Sequence, residues 1–160
     1  MKNRITVKLK LSPLAWQIIK RDFDFEIFAY NISGSYIYDI VKSQLTKSPE
    51  ENISDDGKYE VHSIFISEHD FFQHGAVIKP EGHLLISHII EKIERTNICN
   101  FVAIAAARGA KKDTALKHYL FENDIEGILN FQTIKKYYQR KFGKKEQNYT
   151  NLFYELEKNK

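Results

Sequence analysis

The chain has 160 residues, 42% hydrophobic and 13% aromatic, enough for one compact domain or two small ones and too apolar for a disordered chain. Its single cysteine, Cys99, excludes an internal disulfide and fits a reducing compartment. No apolar stretch approaches the roughly 20 residues of a membrane span and no leader-like segment precedes Leu11, so a soluble cytoplasmic protein without a membrane partner is expected.

The formal charge of +3 conceals a sorting by region. Residues 1–21 carry six basic side chains (Lys2, Arg4, Lys8, Lys10, Lys20, Arg21) and no acid. Residues 22–107 carry fourteen acids against six bases, and residues 108–145 ten bases against four acids. Two basic blocks therefore flank an acidic body, a distribution that suits a polyanion partner.

In chain order, Ile5, Val7, Leu9 and Leu11 alternate with Thr6, Lys8 and Lys10, which predicts a strand with one apolar and one cationic face. Ser12-Pro13 supplies an N-cap and a proline at the first helical position, opening a helix that carries Leu14, Trp16, Ile18 and Ile19 to about Phe25. Ser33-Gly34-Ser35 precedes a second helix, Tyr36–Leu45. Residues 46–58 are polar, contain Pro49 and Gly57, and read as a linker in which Asp55 and Asp56 are solvated. A second strand is expected at Tyr59–Ile66, then a short helix capped by Ser67 and ended by Gly75. Pro80-Glu81 opens a helix to about Thr96, and Phe101–Ala107 reads as further helix or a buried strand before Arg108-Gly109. Helices at Lys112–Asn123 and Phe131–Phe142 follow, the second capped by Asn130, and residues 146–160 form a polar tail. The order strand, serine cap, helix, helix occurs twice, with Ser12 and Ser67 in equivalent places.

The segment ITVKLKL–SPLAWQIIKRDF–SGSYIYDIVKSQL resembles the ribbon-helix-helix family of DNA-binding proteins, with a degenerate second copy at 59–96. The resemblance implies an antiparallel β-ribbon entering the major groove, with Thr6, Lys8 and Lys10 toward the bases and Ser33 and Ser35 placing backbone amides at a phosphate. The ribbon is completed either within the chain or by a homodimer. Alternation of this kind equally serves an edge strand that turns its lysines to water.

A second segment, residues 111–143, resembles a helix-turn-helix unit. Its last helix places Gln132, Lys135, Lys136, Gln139 and Arg140 outside the apolar stripe, with Lys141 near its end. Glutamine bonds adenine edges, arginine bonds guanine, and lysines suit phosphates. The same cations also complement the helix's own C-terminal dipole.

Catalytic patterns are weak. His69 and His74, like His83 and His88, are five apart, one more than the spacing that aligns two imidazoles on a helix face, so no metal site is expected. Cys99 lies in an apolar run without a histidine at motif spacing and reads as an inert buried thiol. The expectation is an α+β, mainly helical protein with a two-stranded ribbon-helix-helix-like part over 1–107 and a basic helical part over 108–145. It is read as a DNA-binding non-enzyme without cofactor, in the general context of a transcriptional regulator or accessory factor of a mobile element or prophage. The alternative is a protein-interaction module whose basic ends only aid solubility.

Overall fold

The computed structural model describes residues 4–49, 53 and 55–143 and is α+β. In chain order the elements are β1 (Arg4–Leu11), α1 (Pro13–Asp22), β2 (Phe25–Glu26), β3 (Ala29–Tyr30), α2 (Tyr36–Ser43), β4 (Leu45–Thr46), β5 (Glu60–Ser67), α3 (Glu68–His74), β6 (Val77–Ile78), α4 (Pro80–Ala107) and α5 (Lys112–Glu122). A sixth helix, α6, covers residues 131–143. The tail expected at 146–160, with Lys144 and Lys145, lies outside the described residues.

The two long strands pair within the chain: β1 and β5 run antiparallel from Arg4 opposite Ser67 to Leu11 opposite Glu60. Aligning Ser12 with Ser67 makes Lys8 equivalent to Ser63, and these two residues face each other in the register. Both serines cap helices in the same way, Ser12 Oγ accepting the Ala15 N–H and Ser67 Oγ accepting the Asp70 N–H.

The expectation of a free two-stranded ribbon is corrected, because the sheet has four strands in the order β1-β5-β3-β2. The first helix ends at Asp22 rather than near Phe25, and the hairpin β2–β3 fills the stretch before Ser33 to which no element was assigned; strands of two residues are too short to show alternation. A second, two-stranded sheet joins β4 to β6, so Thr46 belongs to a strand and the supposed linker is shorter than 46–58. Gly75 makes this possible: its φ is +95°, and a Cβ there would lie 2.0 Å from the Thr46 carbonyl oxygen.

The core of this part forms on the inner face of the ribbon. Val7, Leu9 and Leu11 pack with Trp16, Ile18 and Ile19, all buried. Each such side chain contributes about 1.5–3 kcal/mol on burial. The Trp16 ring meets His62 edge-on at 4.7 Å and Tyr30 at 5.7 Å, and its Nε1–H donates to the Glu60 carbonyl at 2.8 Å.

The outer edge of β1 is closed by α4. The Lys10 N–H donates to His83 Nδ1 (3.2 Å), the Ser12 N–H to Ser87 Oγ (3.1 Å), and the Ser12 hydroxyl to Glu91 Oε1 (2.6 Å). His83, Ser87 and Glu91 sit at i, i+4 and i+8, one row on a helix. Farther along α4, buried Glu94 receives both terminal nitrogens of Arg21 at 2.8 and 3.3 Å. Together with the hydrogen bond to Asp22, this raises the Arg21 guanidinium above its already high ordinary value. Buried backbone amides and a buried carboxylate are thereby satisfied.

The helix α4 runs 28 residues without interruption, because nothing between Pro80 and Ala107 breaks it, and Gly109 at φ +91° follows its end. The two stretches read as a helix to Thr96 and an ambiguous run at 101–107 are one element. Two compact units divide between Glu94 and Arg95, inside this helix rather than after Ala107. In the second unit, Ile98, Cys99 and Val102 of α4 are buried with Ala115, Leu116 and Leu120 of α5 and Ile134 and Tyr138 of α6. No helix of the described residues is long and apolar enough to cross a membrane.

Candidate nucleic-acid interface

On β1, parity turns Arg4, Thr6, Lys8 and Lys10 to the outer face of the sheet, as the alternation required. Their surroundings differ. Lys10 is half-buried and its ammonium is 2.9 Å from Asp56, whose carboxyl is held down to about 2 by the Lys10 hydrogen bond and backbone amides. Asp56, read as simply solvated, also accepts the N–H groups of Lys58 and Tyr59 and so shapes the turn before β5. Arg4 pairs with Glu26 on β2 and lies over the Phe65 ring at 5.3 Å. Thr6 and Lys8 are exposed, and Lys8 makes no ion pair with any described residue.

The β5 half of that face presents Val61, Ser63 and Phe65 opposite Lys10, Lys8 and Thr6. Phe65 is buried under Phe28 of the hairpin, ring centres 5.5 Å apart. The outer face is therefore half cationic and half apolar, and partly roofed.

At the start of α2, Ser33 is exposed, whereas Ser35 is the N-cap. Ser35 Oγ accepts the Tyr38 N–H at 3.2 Å and its hydroxyl donates to the Ile32 carbonyl at 2.7 Å. Its side chain is thus committed to the helix end, and Asp39 adds a negative charge in the first turn, where a phosphate would need none. The Ser35 hydroxyl therefore serves the helix end, while the expectation at this helix start concerned backbone amides.

The helix α6 is different. Asn130 caps it, its Oδ1 accepting the N–H groups of Gln132 (2.9 Å) and Thr133 (3.2 Å). Ile134 and Tyr138 are buried, which sends Gln132, Lys136, Gln139 and Arg140 to solvent at i, i+4, i+7 and i+8. That row spans about 12 Å of helix, close to the width of a major groove. The helix holds four cations and no acid. Lys136 and Arg140 make no ion pair with any described residue. Lys135 is half-buried and bound to Asp113 at 2.6 Å, and Lys141 donates to Thr96 Oγ1 at 3.3 Å. The six residues expected on this helix thus form a row of four, with two cations drawn aside.

Helices α5 and α6 touch in antiparallel order. Lys112 lies over Tyr138 (5.7 Å), Asp113 binds Lys135, and Lys117 lies over Phe131 (5.5 Å). That order belongs to an antiparallel helical hairpin, whereas helix-turn-helix units cross their helices steeply. The eight-residue connection 123–130, with buried Ile125 and Leu129, gives the chain room to reverse. Sequence reading passed over Lys117, which the hairpin sets beside the start of α6; its place on the polar side of α5, between Leu116 and Leu120, was the available signal.

Other chemistry is sparse. Among the described residues no group of three His, Cys, Asp or Glu side chains could hold a metal ion. Cys99 is buried, and burial pushes its thiol up, away from the reactive thiolate. No protein-family model matches the chain, and no curated protein or solved structure shows significant similarity to it.

Proposed function

We propose that this protein binds DNA through the solvent face of α6. The observation that carries this reading is the row Gln132, Lys136, Gln139 and Arg140, a cationic and hydrogen-bonding strip without an interrupting carboxylate. Lys136 and Arg140 neutralise phosphates and release counterions, while Gln132, Gln139 and the Arg140 guanidinium supply base-edge contacts. Lys117 adds a phosphate contact from the neighbouring helix. On the ribbon, Thr6 and Lys8 are the residues that remain open to a second contact. Regulation of transcription is the role such binding would serve.

A titration of labelled random-sequence duplex, read by fluorescence anisotropy at two salt concentrations, tests this. The expected result is saturable binding at low salt that falls steeply as salt rises. Absence of binding at low salt overturns the proposal.

A protein-interaction role draws on one other observation, the exposed side chains of Phe25 and Ile27 at the β2–β3 hairpin. Absence of duplex binding, with co-purification of a protein partner that is lost on Phe25→Ser and Ile27→Ser, would favour that surface.

A further inference from the structure

A cleft of roughly 950 Å3 opens in the first unit where the hairpin, α2 and the end of β5 meet. Its volume falls within the range of small-molecule sites, about 300–1,000 Å3. The floor is polar and built. Tyr38 accepts the Ser67 N–H at 3.0 Å and donates its hydroxyl to Asp70 Oδ2 at 2.5 Å. The Ser67 hydroxyl donates to the same Oδ2 at 2.6 Å. Asp70 is only 8% exposed. Burial alone would raise its carboxyl, but the Ser67 and Tyr38 hydroxyls outweigh it and hold the group ionised below the usual range.

Both hydroxyls use one carboxylate oxygen. The other, Oδ1, has the Lys42 ammonium at 3.9 Å, beyond hydrogen-bond reach. Asp70, which lines the cleft, therefore keeps one oxygen whose ion partner is too far for a hydrogen bond. The walls are apolar: Phe28 stands edge-on to Phe65, and Ile66 continues the surface. Phe28 is 56% exposed, so much of its ring is open to a ligand.

Charge selects the ligand class. The ionised side chains lining the cleft are two carboxylates, Asp70 and Glu26, and one guanidinium, Arg4. Arg4 and Glu26 are bound to each other, and Glu26 is also held by Asn31 Nδ2 at 2.8 Å. Their charges cancel, which leaves Asp70, whose ion partner Lys42 stands 3.9 Å off and does not line the cleft. An anion would meet a buried negative charge, and a neutral apolar molecule would leave Oδ1 unsatisfied.

We propose that this cleft is a binding site for a primary amine on an aromatic or branched apolar stem. The ammonium donates to Asp70 Oδ1, and the stem lies against Phe28 and Phe65. The site belongs to the first unit, and the proposal does not depend on nucleic-acid binding.

The test uses the full chain with 2-phenylethylamine as probe and 2-phenylethanol as its neutral counterpart, both titrated calorimetrically. The expected result is saturable amine binding, with the alcohol weaker by about tenfold or more, as the loss of a charge-assisted hydrogen bond requires. Phe28→Ala weakens amine and alcohol alike, and Asp70→Asn removes the preference for the amine. Because Asp70 also completes the start of α3, Lys42→Met gives an independent readout: removing the resident ammonium from a half-buried position tightens amine binding. Three results each overturn the proposal: no amine binding at millimolar concentration, equal affinity for amine and alcohol, or affinity unmoved by both Phe28→Ala and Lys42→Met.

Discussion

The two basic segments begin alike, as short runs of lysine and arginine on an amphipathic element, and end differently. On β1, Lys10 is tied to Asp56 and Arg4 to Glu26, while the facing strand offers Ser63 and a covered Phe65. On α6, Lys136 and Arg140 share a solvent face with two glutamines. The contrast follows from the neighbours. Carboxylates from the acidic stretch 22–107, Glu26 and Asp56, fold against the strand and pair with two of its cations. The helix carries no acid of its own; Lys135 goes to Asp113 and Lys141 to the Thr96 hydroxyl, and Lys136 and Arg140 stay on the solvent face. Basic residues stay open to a polyanion only where their local fold leaves them unpaired.

The largest expected effect tests the claim that β1 serves chiefly to build the core. Trp16→Ala should lower stability by about 3–5 kcal/mol, measured by denaturant unfolding. A loss below about 1 kcal/mol would show that the inner face of the ribbon is not the centre of packing.

Next comes the helix. Lys136→Glu with Arg140→Glu should weaken duplex binding by at least about tenfold and flatten the salt dependence by about two phosphate contacts. Unchanged affinity would move the contact away from α6.

Ser12→Ala should cost about 1 kcal/mol, since it removes the cap of α1 and the hydroxyl that Glu91 accepts. Thermal unfolding reads this directly.

Acid should loosen the same edge. Burial holds the His83 imidazole below its ordinary value of 6.5, and it must stay neutral to accept the Lys10 N–H. Above 6.5 both folded and unfolded states keep it neutral; below that value the unfolded chain takes up the proton first, so stability declines as pH falls through this window. The Lys10 ammonium, itself paired with Asp56, also opposes protonation of His83, while the Ile78 backbone favours it without outweighing burial. Denaturation midpoints measured across the window should slope more steeply for the native protein than for His83→Gln, which keeps an acceptor that does not titrate.

The smallest effect is expected on the ribbon, where Lys8→Glu should reduce duplex affinity by less than about threefold, as for one screened phosphate contact. A larger loss would place the ribbon rather than α6 at the centre of binding and invert the comparison.

The long elements were legible because their patterns are local. Alternation from Ile5 to Leu11, the Ser12-Pro13 and Ser67 caps, the stop at Gly75 and the stripe through Ile134 and Tyr138 each depend on residues a few positions apart, and each stands where it was expected. The hairpin β2–β3 and the sheet β4–β6 were not legible. Two-residue strands carry no periodicity, and they exist only because a distant strand or Gly75 offers a partner. Ser35 was correctly seen as a helix start, but its commitment to Ile32 and Tyr38 is a matter of geometry.

Local patterning alone determined where the chain is helical or extended, which faces are apolar, and that its cations cluster in two blocks. Only the tertiary structure decided which of those cations remain open to a partner, that Asp70, Tyr38 and Ser67 converge under a cleft, and that His83 closes the edge of β1. Propensity and amphipathicity act over one or two turns of chain. Ion pairing, burial and shared hydrogen bonds depend on residues up to 79 positions apart, whose meeting no short-range pattern records.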